Sequence, residues 1–534
     1  MPTIPIHIPI ARTVPALIDE MAERFPDREA LVGSGQRYTY RTLRIEMRRI
    51  ARGLAALGVK PGDKVAILMG NQPEWIIADL AICLLGGVMV GVNTWATPRE
   101  LEYILHHSDS TLLITSGRYL KYDYLEMLAT ITPRSERLPS LREVILASEA
   151  SAPGCRPYRD LARLAETVPE SVIDAAQQRI DPHDVCYLLY TSGSTSHPKG
   201  VLLQHYALVE NMWQIGERQH VTEHDRLWLA VSLFWGLACE NALFNLYTHG
   251  GCVVLQEHFE PGEALAIIER ERCTLFYGTP NMGQAMAEHP DRPRRDLSSL
   301  RGGATIGTPE QMMRVVDLGA REICNIYGLT ETYGNCNVTD AHDPLDKRLT
   351  TVGQPLVGVT QRIVDPETGQ VLPTGEIGEV RVKGYVTVGY LKEPDLTAAA
   401  FDDEGYFKTG DLGFVDTEGH LSFRGRIKEM VKTGGINVAP IEVEEVLMQH
   451  PGVHLAFCTG VPDAVRDEVL AAVIVPKPGV QLTEAALTAH CKSLLAAYKL
   501  PRLYRFASET ELPLTATGKL QKNRLATVFF SPSR

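Results

Sequence analysis

One stretch of the chain concentrates groups able to hold phosphate: Tyr190-Thr191-Ser192-Gly193-Ser194-Thr195-Ser196-His197-Pro198-Lys199-Gly200. Five small hydroxyl side chains, a glycine and a Lys-Gly pair follow the apolar run Val185-Cys186-Tyr187-Leu188-Leu189. Hydroxyls and exposed backbone N–H groups cradle phosphate oxygens, and a lysine adds positive charge. The order Pro198-Lys199-Gly200 is not that of a Walker A loop, which ends in Gly-Lys-Ser or Gly-Lys-Thr. An ordinary Ser/Gly-rich surface loop has the same composition, so both readings stand on this stretch alone.

Four further segments carry groups of the right type. In Asn325-Ile326-Tyr327-Gly328-Leu329-Thr330-Glu331-Thr332 a tyrosine can stack on a purine, a glycine admits a base to the backbone, and a carboxylate suits Mg²⁺. The rival reading is a core strand end followed by a helix cap. Tyr406-Phe407-Lys408-Thr409-Gly410-Asp411-Leu412-Gly413 presents an aspartate after a tight glycine, either for two ribose hydroxyls or as a solvated hairpin residue. Read alone, Gly425-Arg426-Ile427-Lys428-Glu429-Met430-Val431-Lys432-Thr433-Gly434-Gly435 is a basic turn. Pro513-Leu514-Thr515-Ala516-Thr517-Gly518-Lys519-Leu520-Gln521-Lys522 is a basic tail.

These segments need elements to position them. Apolar residues at Leu43, Met47, Ile50, Leu54 and Leu57 step by four and three, a helical period over 42–57. Pro61-Gly62-Asp63 reads as a turn and 64–69 as a buried strand. Further strands are expected at 111–115, 185–190, 227–230 and 252–255. Alternation of this kind implies α/β layers with largely parallel sheets. From Gly375 onward, segments such as Glu379–Val382 and His420–Phe423 alternate polar with apolar residues, which suggests antiparallel strands. The expected organisation is a large N-terminal domain, 1–425, of layered α/β subdomains with a small β-rich subdomain. A small mobile α+β domain, 426–534, follows it. Its helices are expected at about 440–449 and 483–498, and its strands near 453–460 and 469–475.

The bulk counts narrow the function. Of 534 residues, 44% are hydrophobic and 22% charged, which excludes bulk disorder. Ten scattered cysteines, none in CxxC spacing, speak against zinc or disulfide scaffolds and for a reducing compartment. The most apolar run, Leu80–Val92, has 13 residues and three glycines, short of the about 20 a spanning helix needs. The N-terminus has no secretory pattern, so a soluble cytoplasmic protein is expected. The net charge of −12 disfavours nucleic acid and anionic membrane as partners. It is unevenly spread. Residues 426–534 hold 13 Lys and Arg against 10 Asp and Glu, so a basic end closes an acidic chain.

Taken in order, the five segments resemble the signatures of the adenylate-forming superfamily, in its acyl-CoA synthetase branch. Ser196 stands where the family's phosphate loop usually has a second glycine, and Thr305 where Arg301-Gly302-Gly303-Ala304-Thr305 would end in proline. The resemblance covers essentially the whole chain. It implies that Thr191, Ser192, Gly193, Ser194, Thr195 and Lys199 hold ATP phosphates. Gly303, Ala304, Asn325, Tyr327 and Gly328 would surround adenine, Thr330 touch the α-phosphate, and Glu331 bind Mg²⁺. Asp411 and Arg426 would hold ribose or phosphate. Lys519 would drive adenylation, with Lys199, Glu331 and Thr191 also catalytic. Lys428 would be the hinge, and Lys432, Gly434 and Gly435 would line the thioester-forming face. The acyl pocket would comprise Phe234, Trp235, Gly236, Leu237, Tyr277, Thr279, Met282, Gly302 and Tyr333.

The activity implied is a carboxylic acid–CoA ligase using ATP, Mg²⁺ and coenzyme A. Amino-acid-activating relatives place an aspartate near position 235 to pair with an ammonium; Trp235 cannot, so an uncharged fatty, alicyclic or aryl acid is expected. Two alternatives stay open: a stand-alone adenylation enzyme loading a partner carrier protein, and a catalytically silent nucleotide or acyl-adenylate sensor. A homodimer is compatible with the sequence.

Overall fold

The apolar period over 42–57 is the inner face of the helix Tyr40–Ala56, where Leu43, Met47, Ile50 and Leu54 are buried. Thr39 starts it: Thr39 Oγ1 accepts the Thr42 N–H and Thr42 Oγ1 accepts the Thr39 N–H, so two donors without intrahelical partners are satisfied. The helix Pro73–Leu84 is buried on every side and is a core helix. After it the glycine-interrupted run continues as the strand Val88–Gly91.

The structure, a computed structural model, describes residues 8–132, 134–148, 152–191, 198–433, 436–463, 467–495, 497–514 and 520–531. Two compact units result, one from Met1–Thr360 with Val382–Phe407, the other from Gln361–Arg381 with Lys408–Arg534.

The first unit is α/β and contains two large sheets. One has eight strands in the spatial order Gly389–Tyr390, Lys199–Gln204, Val185–Thr191, Val88–Gly91, Lys64–Leu68, Leu112–Thr115, Glu143–Leu146, Cys155–Pro157. It is parallel from Val185–Thr191 onward and antiparallel at the edge carrying Lys199–Gln204. The other has nine strands, of which Glu322–Tyr327, Gly302–Thr305, Leu275–Tyr277, Arg226–Leu229, Cys252–Leu255 and Glu29–Gly33 form a parallel run. Residues of both sheets share one core with the Tyr40–Ala56 and Pro73–Leu84 helices. Within that core Tyr187 donates its hydroxyl to Asp79, whose carboxyl is pushed well above its ordinary range by burial and so stays neutral. In open α/β sheets ligands gather at the carboxyl ends of the strands. Thr191, Tyr277, Ala304 and Tyr327 all lie at or next to such ends.

In the second unit, four strands (Thr360–Val364, Gly378–Lys383, Phe407–Val415 and Leu421–Arg426) form one sheet, its last pair antiparallel. A second sheet orders Ile436–Val438, Val431–Thr433, Asp467–Pro476 and Val453–Asp463, with Leu503–Phe506 added parallel to Asp467–Pro476. The helices Pro440–Met448 and Glu484–Leu494 cover it through Val443, Leu447, Leu487 and Cys491. The second helix is expected from sequence to reach Tyr498 but ends at Leu494. Leu495 turns extended (φ −121°, ψ 149°) and packs back on the same core, and Ala497–Lys499 forms a separate single turn.

Nine of the ten cysteines are buried and Cys155 is partly so, all free thiols. Among the described residues no helix is long and apolar enough to cross a membrane.

Candidate active site

The phosphate-loop segment is closed by a strand pair. Thr191 ends one strand, Lys199 begins the next, and the two are Cα partners in the antiparallel register. The helix Pro98–His107 braces both sides. Tyr103 donates its hydroxyl to the Pro198 carbonyl at 3.2 Å, and His107 Nδ1 lies 2.8 Å from the Tyr190 hydroxyl. Burial, followed by the charge of Lys392, lowers the His107 pKa and favours its neutral ring. Ser192, Gly193, Ser194, Thr195 and Ser196 lie outside the described residues.

Lys199 and Glu331, 132 positions apart, meet at Tyr390. The Lys199 ammonium lies over the Tyr390 ring, 5.1 Å from its centroid. The Tyr390 hydroxyl donates to Glu331 Oε1 at 2.9 Å. Burial, followed by the Glu331 charge, raises the Tyr390 phenol pKa, so it remains a donor. The chain around Tyr390 is tightly held. Val201 is its strand partner, and the Leu391 N–H donates to the Gly200 carbonyl at 2.8 Å. The Thr387 N–H donates to the Glu331 carbonyl at 2.7 Å, while Thr387 Oγ1 donates to Leu202. Gly389 adopts φ +135°, and a Cβ there would lie 2.4 Å from Thr397 Cγ2. Glu331 thus has one oxygen engaged by Tyr390 and, among the described residues, the other uncommitted. A carboxylate oxygen of this kind fits a hard Mg²⁺ ion.

The residues expected beside adenine lie on or next to adjacent parallel strands. Gly303 and Ala304 pair with Ile323 and Cys324, leading to Asn325. Gly303 has φ +119°, and an added Cβ would fall 1.9 Å from the Phe276 carbonyl oxygen, so no other residue fits. Thr305, in the place of a proline, donates Oγ1 to the Gly278 carbonyl at 2.9 Å. Asn325 is buried, donating Nδ2 to the Thr351 carbonyl at 3.0 Å. Tyr327 ends its strand buried. Gly328 passes so close to Gly334 that a Cβ would lie 2.3 Å from the Gly334 carbonyl oxygen. Thr330 and Glu331 open a single helical turn and are partly exposed.

In the second unit Asp411 and Arg426 are cross-strand partners, with Arg426 Nε 3.1 Å from Asp411 Oδ1. Thr409 Oγ1 accepts the Asp411 N–H and donates to the Val380 carbonyl, which fixes the turn. Lys428 lies in the turn Ile427–Glu429 directly after this sheet. Lys432 is exposed, its backbone N–H donated to Glu468. Gly434, Gly435 and Lys519 lie outside the described residues. The flanks of Lys519 are anchored. Leu514 and Leu520 form an antiparallel bridge, and the Lys522 ammonium reaches both oxygens of Glu444 at 2.8 and 2.9 Å.

Of the residues expected to line an acyl pocket, Phe234 and Trp235 belong to an aromatic group. Trp95, Phe234 and Trp235 have ring centroids 5.4 to 5.8 Å apart. Asn71 clamps the approach to Phe234, donating to the Val231 carbonyl and accepting the Leu233 N–H. Gly236 precedes a wide π-helical turn, Leu237–Ala242, in which Asn241 donates Nδ2 to the Tyr333 carbonyl at 2.8 Å. Tyr333 is fully buried at φ +54°, and its hydroxyl accepts the Gln204 N–H. Tyr277 is also fully buried, its hydroxyl 3.4 Å from Asn335 Nδ2. Thr279 and Met282 are partly exposed, and Gly302 is buried beside Glu322.

Glu240 is also fully buried, and neither carboxyl oxygen has a hydrogen-bond partner among the described residues. A Cβ on Gly236 would lie 2.6 Å from Glu240 Oε1. Burial first, then the Glu331 charge, pushes the Glu240 pKa well above its ordinary value, so the group is held neutral.

Sequence reasoning misses Tyr390, Tyr103, His107, Trp95 and Glu240. None stands in a segment rich in chemical groups, and each acquires its place through tertiary pairing. Chemically, the first unit offers a cation and a carboxylate at one tyrosine, a glycine-lined strand end and an aromatic group.

The chain matches the family model described as AMP-binding enzyme over residues 18–391, and that of its C-terminal domain over 442–519. It is 34% identical over 521 residues to the 3-[(3aS,4S,7aS)-7a-methyl-1,5-dioxo-octahydro-1H-inden-4-yl]propanoyl:CoA ligase of Mycobacterium tuberculosis, covering 96% of this chain and 98% of that one. It is 32% identical over 538 residues to the mitochondrial medium-chain acyl-CoA ligase ACSF2 of Danio rerio, covering 96% and 88%. Among solved structures, the anthranilate CoA ligase AuaEII in complex with anthranoyl-AMP superposes with a TM-score of 0.84 at 28% identity, covering 98% of each chain.

Tyr390→Phe removes the hydrogen bond to Glu331 but keeps the ring under Lys199. Carboxylate-dependent pyrophosphate exchange should fall roughly tenfold, the weight of one hydrogen bond to a charged group. Tyr390→Leu, which also loses the ring face, should fall a further two- to fivefold or so. A Phe variant equal to the parent would show that the hydroxyl contact is unimportant. Glu240 makes a second prediction. Its native pKa is raised, so the unfolded chain releases a proton that the folded chain retains. Stability from the neutral form is therefore lost as pH rises above the ordinary glutamate value. Glu240→Gln should raise the melting temperature relative to the parent at about pH 8 and less so at about pH 5. A difference independent of pH contradicts a neutral buried Glu240.

Proposed function

The chain belongs to the AMP-binding enzyme family, in the acyl-CoA synthetase branch of the adenylate-forming superfamily, and on that premise we propose how its residues share the work of an AMP-forming acid–thiol ligase. The observation that carries the proposal is the convergence of Lys199 and Glu331 on Tyr390. A carboxylate oxygen attacks the α-phosphorus of ATP, the bond to pyrophosphate breaks, and acyl-AMP forms. A thiol sulfur then attacks the acyl carbon, the carbon–oxygen bond breaks, and AMP leaves with that oxygen. Two anions must meet in the first step, so catalysis rests on positioning and charge compensation. Lys199 and Lys519 supply positive charge, Thr191 and the 192–195 segment cradle phosphate, and Thr330 meets the α-phosphate. Glu331 would hold Mg²⁺, whose charge offsets that of the phosphates. Gly303, Ala304, Asn325, Tyr327 and Gly328 form the adenine side, with Asn325 holding the strand end in place, and Asp411 with Arg426 receives the ribose.

The second step needs no lysine at the α-phosphate and needs room for the pantetheine arm. A small domain from Arg426 onward, pivoting at Lys428, would exchange Lys519 for the face bearing Lys432, Gly434 and Gly435. Its surplus of basic residues suits two polyanionic ligands in turn.

For the acid we propose an uncharged, medium-sized fatty, alicyclic or aryl body. Support comes from the Trp95, Phe234 and Trp235 rings and from the absence of charged side chains among Phe234, Trp235, Leu237, Tyr277, Thr279, Met282 and Tyr333. The named substrates of the relatives span the same three chemistries. The proposed location is cytoplasmic.

A panel of such acids with ATP, Mg²⁺ and CoA tests the activity. The expected outcome is acid-dependent AMP with an equal amount of acyl-CoA. AMP formed without thioester would favour a carrier protein as the acceptor, and no AMP with any acid would favour a silent sensor. Lys519→Ala should abolish adenylation yet still convert supplied acyl-AMP to thioester. Equal loss of both half-reactions would rule out the two-orientation account.

A further inference from the structure

We propose that His220, Asp340 and His342 form a binding site for one divalent transition-metal ion, distinct from the Mg²⁺ role assigned to Glu331. One ligand atom from each of the three residues lies within 4.8 Å of the other two. His220 Nε2 is 2.8 Å from Asp340 Oδ1, and the His220 and His342 rings lie face to face with centroids 3.8 Å apart and planes 14° from parallel. His220 and His342 are exposed at the surface, so an ion can reach the site from solvent.

The backbone holds these side chains in place before any ion arrives. His220 follows the helix His205–Arg218 in a left-handed conformation, φ +49°. Its carbonyl accepts from Arg301 Nη2 at 2.8 Å, and the same guanidinium is anchored on Asp225. Across from it, the Asp340–Asp343 turn is closed twice. Asp340 Oδ1 accepts the His342 N–H at 2.9 Å, and Asp343 Oδ2 accepts the Asp340 N–H at 3.1 Å. The Ala341 N–H donates to the Arg218 carbonyl at 2.8 Å, which fastens the turn to the helix end. Two segments remote in sequence are thus locked together, and on binding an ion the two imidazoles would turn out of their stacked arrangement to converge their lone pairs.

The donor set selects the ion. Two imidazoles and a carboxylate suit Zn²⁺, Co²⁺, Ni²⁺ or Cu²⁺, whereas Mg²⁺ and Ca²⁺ prefer oxygen alone. Three protein ligands leave a coordination position for water. The ion would clamp the helix end to the turn. That turn adjoins Thr339, whose Oγ1 accepts the Asn325 N–H and whose N–H donates to the Asn325 carbonyl. The site therefore adjoins the strand that carries Tyr327, at Asn325, two residues before it.

Co²⁺ is the probe of choice, titrated into the full-length chain after treatment with a chelator. The expected result is one equivalent bound with the weak visible bands of nitrogen and oxygen ligation, displacement by Zn²⁺ but not by Mg²⁺, and a raised melting temperature. His342→Ala and Asp340→Asn should each weaken binding by about tenfold or more, with pyrophosphate exchange in Mg²⁺ retained as proof of folding. Three results would overturn the proposal: no Co²⁺ binding by the parent, binding by both variants as tight as the parent's, or a spectrum with the charge-transfer band of thiolate ligation.

Discussion

The account depends on keeping a lysine and a glutamate close without letting them neutralise one another. Were Lys199 and Glu331 to form a direct ion pair, neither the phosphates nor a metal ion would find its charge free. Tyr390 resolves this by taking both: its ring face attracts the ammonium and its hydroxyl donates to the carboxylate. A phenol serves where a charged residue would not, because its burial keeps the proton on oxygen. The antiparallel edge of the eight-stranded sheet exists, on this reading, to deliver Lys199 and Tyr390 on neighbouring strands.

Much of the framework is legible in the sequence because it is governed by local rules. The four-and-three spacing of Leu43, Met47, Ile50 and Leu54 marks a helix face, and Pro61-Gly62-Asp63 marks the turn before a buried strand. The alternation of such elements implies layered α/β sheets, which the topology bears out. The length of the Glu484–Leu494 helix is less legible. Its apolar period runs on, yet Leu495 reaches the core better from an extended backbone.

The chemical segments are legible for another reason: phosphate and nucleotide chemistry needs particular residue types close together in the chain. The supporting residues are chosen differently. Trp95 belongs with Phe234 and Trp235 only after the chain has folded, and Tyr390 gains its meaning from strand pairing with Val201. Glu240 looks in sequence like any polar position on a helix, and only its complete burial beside Gly236 sets it apart. Local pattern does not encode these contacts. The charge distribution lies between the two cases, since its basic end is countable in the sequence while its use depends on the proposed pivot.

The central claim is that the carboxylate oxygen itself attacks the α-phosphorus and leaves with AMP. Labelling both carboxylate oxygens of an accepted acid with heavy oxygen and analysing the products by mass spectrometry tests it directly. The account predicts that each AMP carries one labelled oxygen and that pyrophosphate carries none. Unlabelled AMP, or label in an inorganic phosphate product, would contradict it.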